Sequence, residues 1–187
     1  MISKTLFLLA SALSIICWAR LLLQWGNLPF LHPLAQFCVH STNWLIRPLR
    51  RVTPPLRHWD VACILATIII YYLATALNLF IAFTWIQPDA RVITASLLFC
   101  ILFSLKALCY ALFIGLVIRM FLSLSKPYSV LLLTLQRIYI PLTRPFAFLR
   151  IGKYDFSATV ILLVLWLCLE WWLPQAGSKI SYWLISG

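Results

Sequence analysis

Acidic side chains are almost missing from this chain: Asp60, Asp89, Asp155 and Glu170 are the full set in 187 residues. Four scattered carboxylates supply no paired acid and base, and they give metal-dependent catalysis little to work with. Charged residues of all kinds make up 10%, against roughly 25% in soluble domains. That leaves too little polar surface for a chain that faces water. Cysteine pairing is missing too. Cys17, Cys38, Cys63, Cys100, Cys109 and Cys168 form no Cys-x-x-Cys pair and sit mostly in apolar runs. They read as small buried hydrophobes, neither a zinc site nor a disulfide framework. No Ser-His-Asp set, glycine-rich phosphate loop or His-Glu-x-x-His motif is present, so the expectation is that the protein is not an enzyme and holds no cofactor or metal.

What is there is hydrophobic: 64% of the residues, with a mean hydropathy of +0.99. The expected class is an all-α membrane protein with four transmembrane helices. Runs at 5–25, 61–86, 92–122 and 156–173 are apolar and about long enough for ~30 Å of hydrocarbon. Lys4 ahead of the first run has the layout of a secretory leader. The repeat described below argues that this run is retained. The third run exceeds what a span needs, which implies tilt or a protruding end. Asp60 and Asp155 stand where N-caps of the second and fourth spans would be, and 175–187 is read as a tail resting on the membrane.

Between the spans lie two shorter segments. In 28–46, His32, Gln36, His40, Asn43 and Arg47 fall at steps of three or four, the pattern of a helix lying in the membrane interface. The second segment, 128–140, is more apolar and too short to span; it is interfacial or re-entrant. Proline-rich basic stretches follow both, and Pro48, Pro54 and Pro55 are expected to stop the first helix.

The chain repeats itself. Arg47-Pro-Leu-Arg-Arg-Val-Thr-Pro-Pro-Leu-Arg-His-Trp-Asp60 recurs, reduced, as Arg144-Pro-Phe-Ala-Phe-Leu-Arg-Ile-Gly-Lys-Tyr-Asp155. The pairs Arg20/Arg119, Pro48/Pro145 and Asp60/Asp155 are 99, 97 and 95 residues apart. Two tandem units, 5–87 and 92–174, are the simplest reading. Both basic hairpins then lie on one side. They carry nine Lys and Arg, against three (Lys4, Arg91, Lys179) on the other. The positive-inside rule puts the hairpins in the cytoplasm and both termini outside, with the repeats parallel.

The net charge of +11 is caught between apolar spans, so it points to anionic lipid head groups, not to nucleic acid. Arg47, Arg50, Arg51 and Arg57 in the first hairpin, and Arg144, Arg150 and Lys153 in the second, are the candidate lipid or partner contacts. Arg20 with Asp60, and Arg119 with Asp155, are candidate ion pairs at the membrane boundary; head-group snorkelling and helix capping are the plainer alternative. Lys106 sits mid-span, where a bare charge costs at least ~2.5 kcal/mol. It lies at about 20 Å from the cytoplasmic side and Glu170 at roughly 21 Å, so the two are a candidate intramembrane pair, for an ion or proton path or simply as glue between helices. His32 and His40 share a helical face and would serve a metal or haem role, or simply mark polar interfacial positions.

The motif Thr42-Asn-Trp-Leu-Ile-Arg-Pro-Leu-Arg-Arg-Val-Thr-Pro-Pro, with Pro141, Arg144, Pro145, Gly152, Asp155 and Ser157 in the second copy, resembles the YggT/YlmG family of bacterial inner-membrane proteins. The first copy departs from the family in having Arg57-His-Trp where glycines are usual, and the second lacks the Arg-Arg pair. The resemblance implies tandem-repeat multi-pass architecture. It also implies links to osmotic or potassium tolerance, division-gene clusters and, in plastids, haem attachment. The leading expectation is a membrane assembly or scaffold factor that binds anionic lipid and a membrane-protein partner or a second copy. The alternatives are a small potassium or proton transport component using Lys106 and Glu170, and a haem–cytochrome assembly factor.

Overall fold

The computed structural model describes residues 2–29, 31–53, 60–81, 90–125, 129–145, 150–151 and 154–186. Among these residues seven α-helices follow in order: α1 (Ile2–Trp25), α2 (Pro33–Val52), α3 (Val61–Ile81), α4 (Ala90–Ser125), α5 (Val130–Thr143), α6 (Phe156–Leu167) and α7 (Leu173–Ser186). A π-helical turn, Cys168–Trp172, joins α6 to α7 without a break, and a two-residue antiparallel pairing of Arg150–Ile151 with Tyr154–Asp155 precedes α6. Among the described residues, four helical stretches are long and apolar enough to cross a membrane: Ile2–Trp25, Val61–Asn78, Arg91–Ser123 and Ala158–Trp183. In hydrocarbon the backbone has no water to bond, so a long apolar segment closes its hydrogen bonds internally as a helix. Their outward positions, among them Leu8, Leu73, Leu97, Ile101, Leu163 and Trp166, are exposed, as lipid-facing positions are.

The order span, short helix, span occurs twice. Within the first occurrence α3 packs chiefly on α1 and α4. It does so through small residues, Ala62, Cys63, Ala66 and Ala74, all buried, which let helix backbones approach closely where no hydrophobic force separates protein from lipid. Side-chain hydrogen bonds bind the same seam: Thr67 Oγ1 lies 2.8 Å from Ser104 Oγ, and Tyr71 Oη donates to Ser11 Oγ at 3.3 Å. A second core joins α4 to α5, α6, the π turn and α7, with Cys109, Leu116, Leu135, Ile138, Tyr139, Leu165, Leu169 and Leu173 buried in it.

Several expected boundaries move. Pro48 does not stop α2, and Pro141 does not stop α5; both lie inside their helices. Each forfeits one backbone bond, a loss normally worth ~3 kcal/mol or more. The burial of Ile46, with Leu45 and Leu49 packed beside it, holds α2 helical through that position. The region expected to be a tail is helical to Ser186 and continues the fourth span. Pro54, Pro55, Arg57, His58, 82–89, Lys126, Gly152 and Lys153 lie outside the described residues, as do the side chains of Arg150 and Asp155.

Where α1 ends, Asn27 takes a left-handed φ of 57°. Leu28 N donates to Leu23 O and Asn27 N to Gln24 O, each at 3.1 Å. These are the two bonds of a Schellman C-cap, with Leu23 and Leu28 as its apolar pair. The turn points the chain back along the bundle, and α2 then starts on a His32 cap, its Nδ1 accepting from Leu34 N at 3.3 Å, with Pro33 in the first turn.

α4 and α5 meet at Gly115, where a Cβ would overlap the Tyr139 hydroxyl. That hydroxyl donates to the Leu112 carbonyl at 2.6 Å. Gly115→Ala should cost about 1–3 kcal/mol by overpacking, and Tyr139→Phe about 1 kcal/mol for the lost bond. The double variant should cost less than their sum, because Phe leaves room for the methyl. Thermal melting in micelles measures the three, and strict additivity would contradict the contact.

Candidate functional site

The polar residues of the first half converge where the C-terminal part of α1, α2 and the start of α3 meet. Arg20 on α1 is 6% exposed, Thr42 on α2 is fully buried and Asp60, at the start of α3, is 1% exposed. Arg20 Nη1 donates to Thr42 Oγ1 at 2.9 Å, and Thr42 Oγ1 in turn donates to the Cys38 carbonyl at 2.7 Å. Asp60 Oδ2 accepts from Arg50 Nη2 in a close ion pair. One guanidinium therefore ties α1 to α2, and the other ties the end of α2 to α3.

This corrects the expected partner of Asp60. Arg50 takes its carboxylate, and Arg20 lies near enough to feel its charge while bonding Thr42. The reason is helical continuity: because α2 runs through Pro48 to Val52, Arg50 arrives beside the start of α3. The capping role fails as well. Cys63 N bonds the Asp60 backbone carbonyl at 2.9 Å, and the side chain is engaged by Arg50. In the second half Arg119 acts electrostatically on Tyr139, which follows Thr42 by 97 residues, as Pro145 follows Pro48. Burial pushes the Tyr139 phenol well above its ordinary value, and the guanidinium opposes the rise. The expected Arg119–Asp155 pair turns on a side chain outside the described residues.

Lys106 and Glu170 do not form the candidate pair; no ion pair joins them among the described residues. Lys106 lines a groove of about 430 Å³ with Phe7, Leu8, Ser11, Tyr71, Phe103 and Tyr110, its Nζ 6.0 Å from the Tyr110 ring centre. Glu170 is exposed on the π turn, beside the exposed Trp171 and Trp172. Matched depth says nothing of rotation about a helix axis, and Leu165, Leu169 and Leu173 are the residues that turn inward there.

The outer face of α2 carries Phe37, His40, Trp44, Arg47 and Arg51, all exposed. Their steps of three and four residues make one stripe, apolar and aromatic at one end and cationic at the other. Its inner face buries Ala35, Cys38, Thr42 and Ile46. Arg144 and Arg137 on the second side are exposed too. His32 serves as the α2 cap, and His40 stands on the outer stripe.

Behind the stripe, between α1 and α2, is a cavity of about 220 Å³ lined by Arg20, Gln24, Asn43 and Arg50 on its polar side and by Leu23, Leu28, Ala35, Cys38 and Val39 on its apolar side. Burial pushes the Cys38 thiol above its ordinary value, and the Arg20 guanidinium opposes that. The spacing of the sequence signalled the arginines but not the cavity, which depends on the Schellman turn.

A bundle with four apolar helices of spanning length and an amphipathic helix with a basic, aromatic outer face is that of an α-helical membrane protein. Residues 1–82 match the model of the CCB3/YggT family. The YggT protein of Escherichia coli (strain K12) is 29% identical over 150 residues, covering 79% of this chain and 76% of that one. A protein of Haemophilus influenzae (strain ATCC 51907 / DSM 11121 / KW20 / Rd) is 26% identical over 171 residues, covering 90% and 87%. The similarity to YggT proteins runs over most of the chain, at under 30% identity. No solved structure matches it.

If Arg20 depends on the Thr42 hydroxyl, Thr42→Val should cost about 1.5–3 kcal/mol for the charged hydrogen bond. Thr42→Ser, which keeps the hydroxyl and loses one methyl, should cost about 1 kcal/mol. Equal losses in thermal melts of the two variants would contradict the dependence.

Proposed function

We propose that this protein is a non-enzymatic assembly or scaffold factor of a bacterial inner membrane. Its hairpins face the cytoplasm, both termini lie outside, and its two halves are tandem repeats. The outward stripe of α2 carries the reading. Phe37 and Trp44 suit the head-group layer, while Arg47 and Arg51 suit anionic phosphates, at ~1 kcal/mol each near a charged surface. The inner face is already spent on α1 and α3, so the outer face is what the helix offers to lipid and to a membrane-protein partner or second copy. Both hairpins being basic supports placing them on the same side. A link to envelope or osmotic homeostasis follows from the family resemblance alone. Transport through Lys106 and Glu170 lacks, among the described residues, the pairing it would use, and His32 of the haem-assembly reading is drawn into the α2 cap through Nδ1.

Photocrosslinking in living cells tests this. A photoreactive side chain at Trp44 should give a discrete protein adduct, and one at the lipid-facing Leu105 should give none. Arg47→Gln with Arg51→Gln should weaken the Trp44 adduct several-fold. Adducts to lipid alone from both positions would contradict a scaffold role.

A further inference from the structure

The cavity between α1 and α2 has a charge balance that the fold does not close. Arg20 and Arg50 both line it, and the carboxylate beside them, Asp60, is engaged by Arg50. Arg20 is more than nine-tenths buried. A guanidinium has five N–H donors, and among the described residues Arg20 makes one hydrogen bond, to Thr42. A desolvated cation with unused donors, facing an open space, is costly unless an anion fills it.

The space itself is shaped for an amphiphile. Gln24 and Asn43 add amide groups beside the two arginines, and Leu23, Leu28, Ala35 and Val39 make the opposite wall. At about 220 Å³ it far exceeds the ~30 Å³ share of one water molecule. Arg20 lies five residues before the end of α1 at Trp25, about 7–8 Å along the axis. That is the depth at which head groups meet acyl chains, given ~30 Å of hydrocarbon within ~40–45 Å of bilayer.

We propose that the α1–α2 cavity binds a net-anionic phosphate group through Arg20 and Arg50, with Gln24 and Asn43 as further hydrogen-bonding partners. The apolar wall favours an acidic phospholipid as its source over inorganic phosphate, because a glycerol and the start of an acyl chain would lie against the leucines. A choline head is disfavoured by the same two cations. This deepens the lipid half of the proposed function and rests on it for the depth of the cavity. It differs from the outer stripe in being a single recess between α1 and α2.

The test uses the full chain in nanodiscs of phosphatidylcholine, alone, with phosphatidylglycerol, or with added inorganic phosphate. Cys38 lines the cavity, so its alkylation, followed peptide by peptide, reports occupancy. Phosphatidylglycerol should slow it roughly tenfold, and native mass spectrometry should find one phosphatidylglycerol held per chain. Val39→Phe, which fills the space and leaves every charge in place, should abolish that retention while melting like the parent. Arg47→Gln with Arg51→Gln should retain the lipid, so loss of the partner adduct and loss of the cavity site are separately visible. Slowing by inorganic phosphate to the same degree would support the site with free phosphate as its source. No slowing by either, or full retention in Val39→Phe, would overturn it.

Discussion

A charged guanidinium near the hydrocarbon boundary must be satisfied, and Arg20 imposes that requirement on everything around it. Its bond to Thr42 fixes the rotation of α2, because Thr42 can face α1 only if Ala35, Cys38 and Ile46 face inward with it. That rotation sets the aromatic and basic positions outward. It also delivers Arg50 to Asp60, which anchors the start of α3. Removing one member of such a buried charged set strands the others, at costs of a few kcal/mol. The junction therefore links the register of three helices.

The rest of the bundle is held by different means. α3 approaches α1 and α4 through alanines and cysteine, and Thr67–Ser104 and Tyr71–Ser11 supply hydrogen bonds inside the apolar region. In the second half the short helix is seated by an aromatic hydroxyl, Tyr139 on the Leu112 carbonyl, over a glycine. Arg20 meets Thr42 in one half and Arg119 influences Tyr139 in the other. The second half thus has a large hydroxyl, Tyr139, where the first has a small one, and it seats the more apolar short helix against α4.

The spans were legible because run length and hydropathy report directly on burial in lipid. Helix rotation was not. Lys106 and Glu170 agree in depth, yet which side of a helix turns inward is decided by neighbours such as Leu165 and Leu169, and the π turn alters the phase further. Asp60 was identified as an ionic partner, but its mate changed once α2 continued through Pro48, a position that local propensity marks as a stop. The left-handed Asn27 and the cavity behind it depend on how the chain reverses, and a Gly-Asn pair hints at a turn without fixing its geometry.

The most direct test of this account is the depth of α2 in a bilayer. Nitroxide labels placed one at a time at Phe37, His40, Trp44, Arg47 and Arg51 can be read by their accessibility to oxygen and to a water-soluble nickel chelate. The account predicts head-group depth along the whole stripe, with Phe37 and Trp44 on the oxygen-rich side of Arg47 and Arg51. Uniform access to the chelate at all positions would mean that α2 stands off the membrane, and would contradict the account.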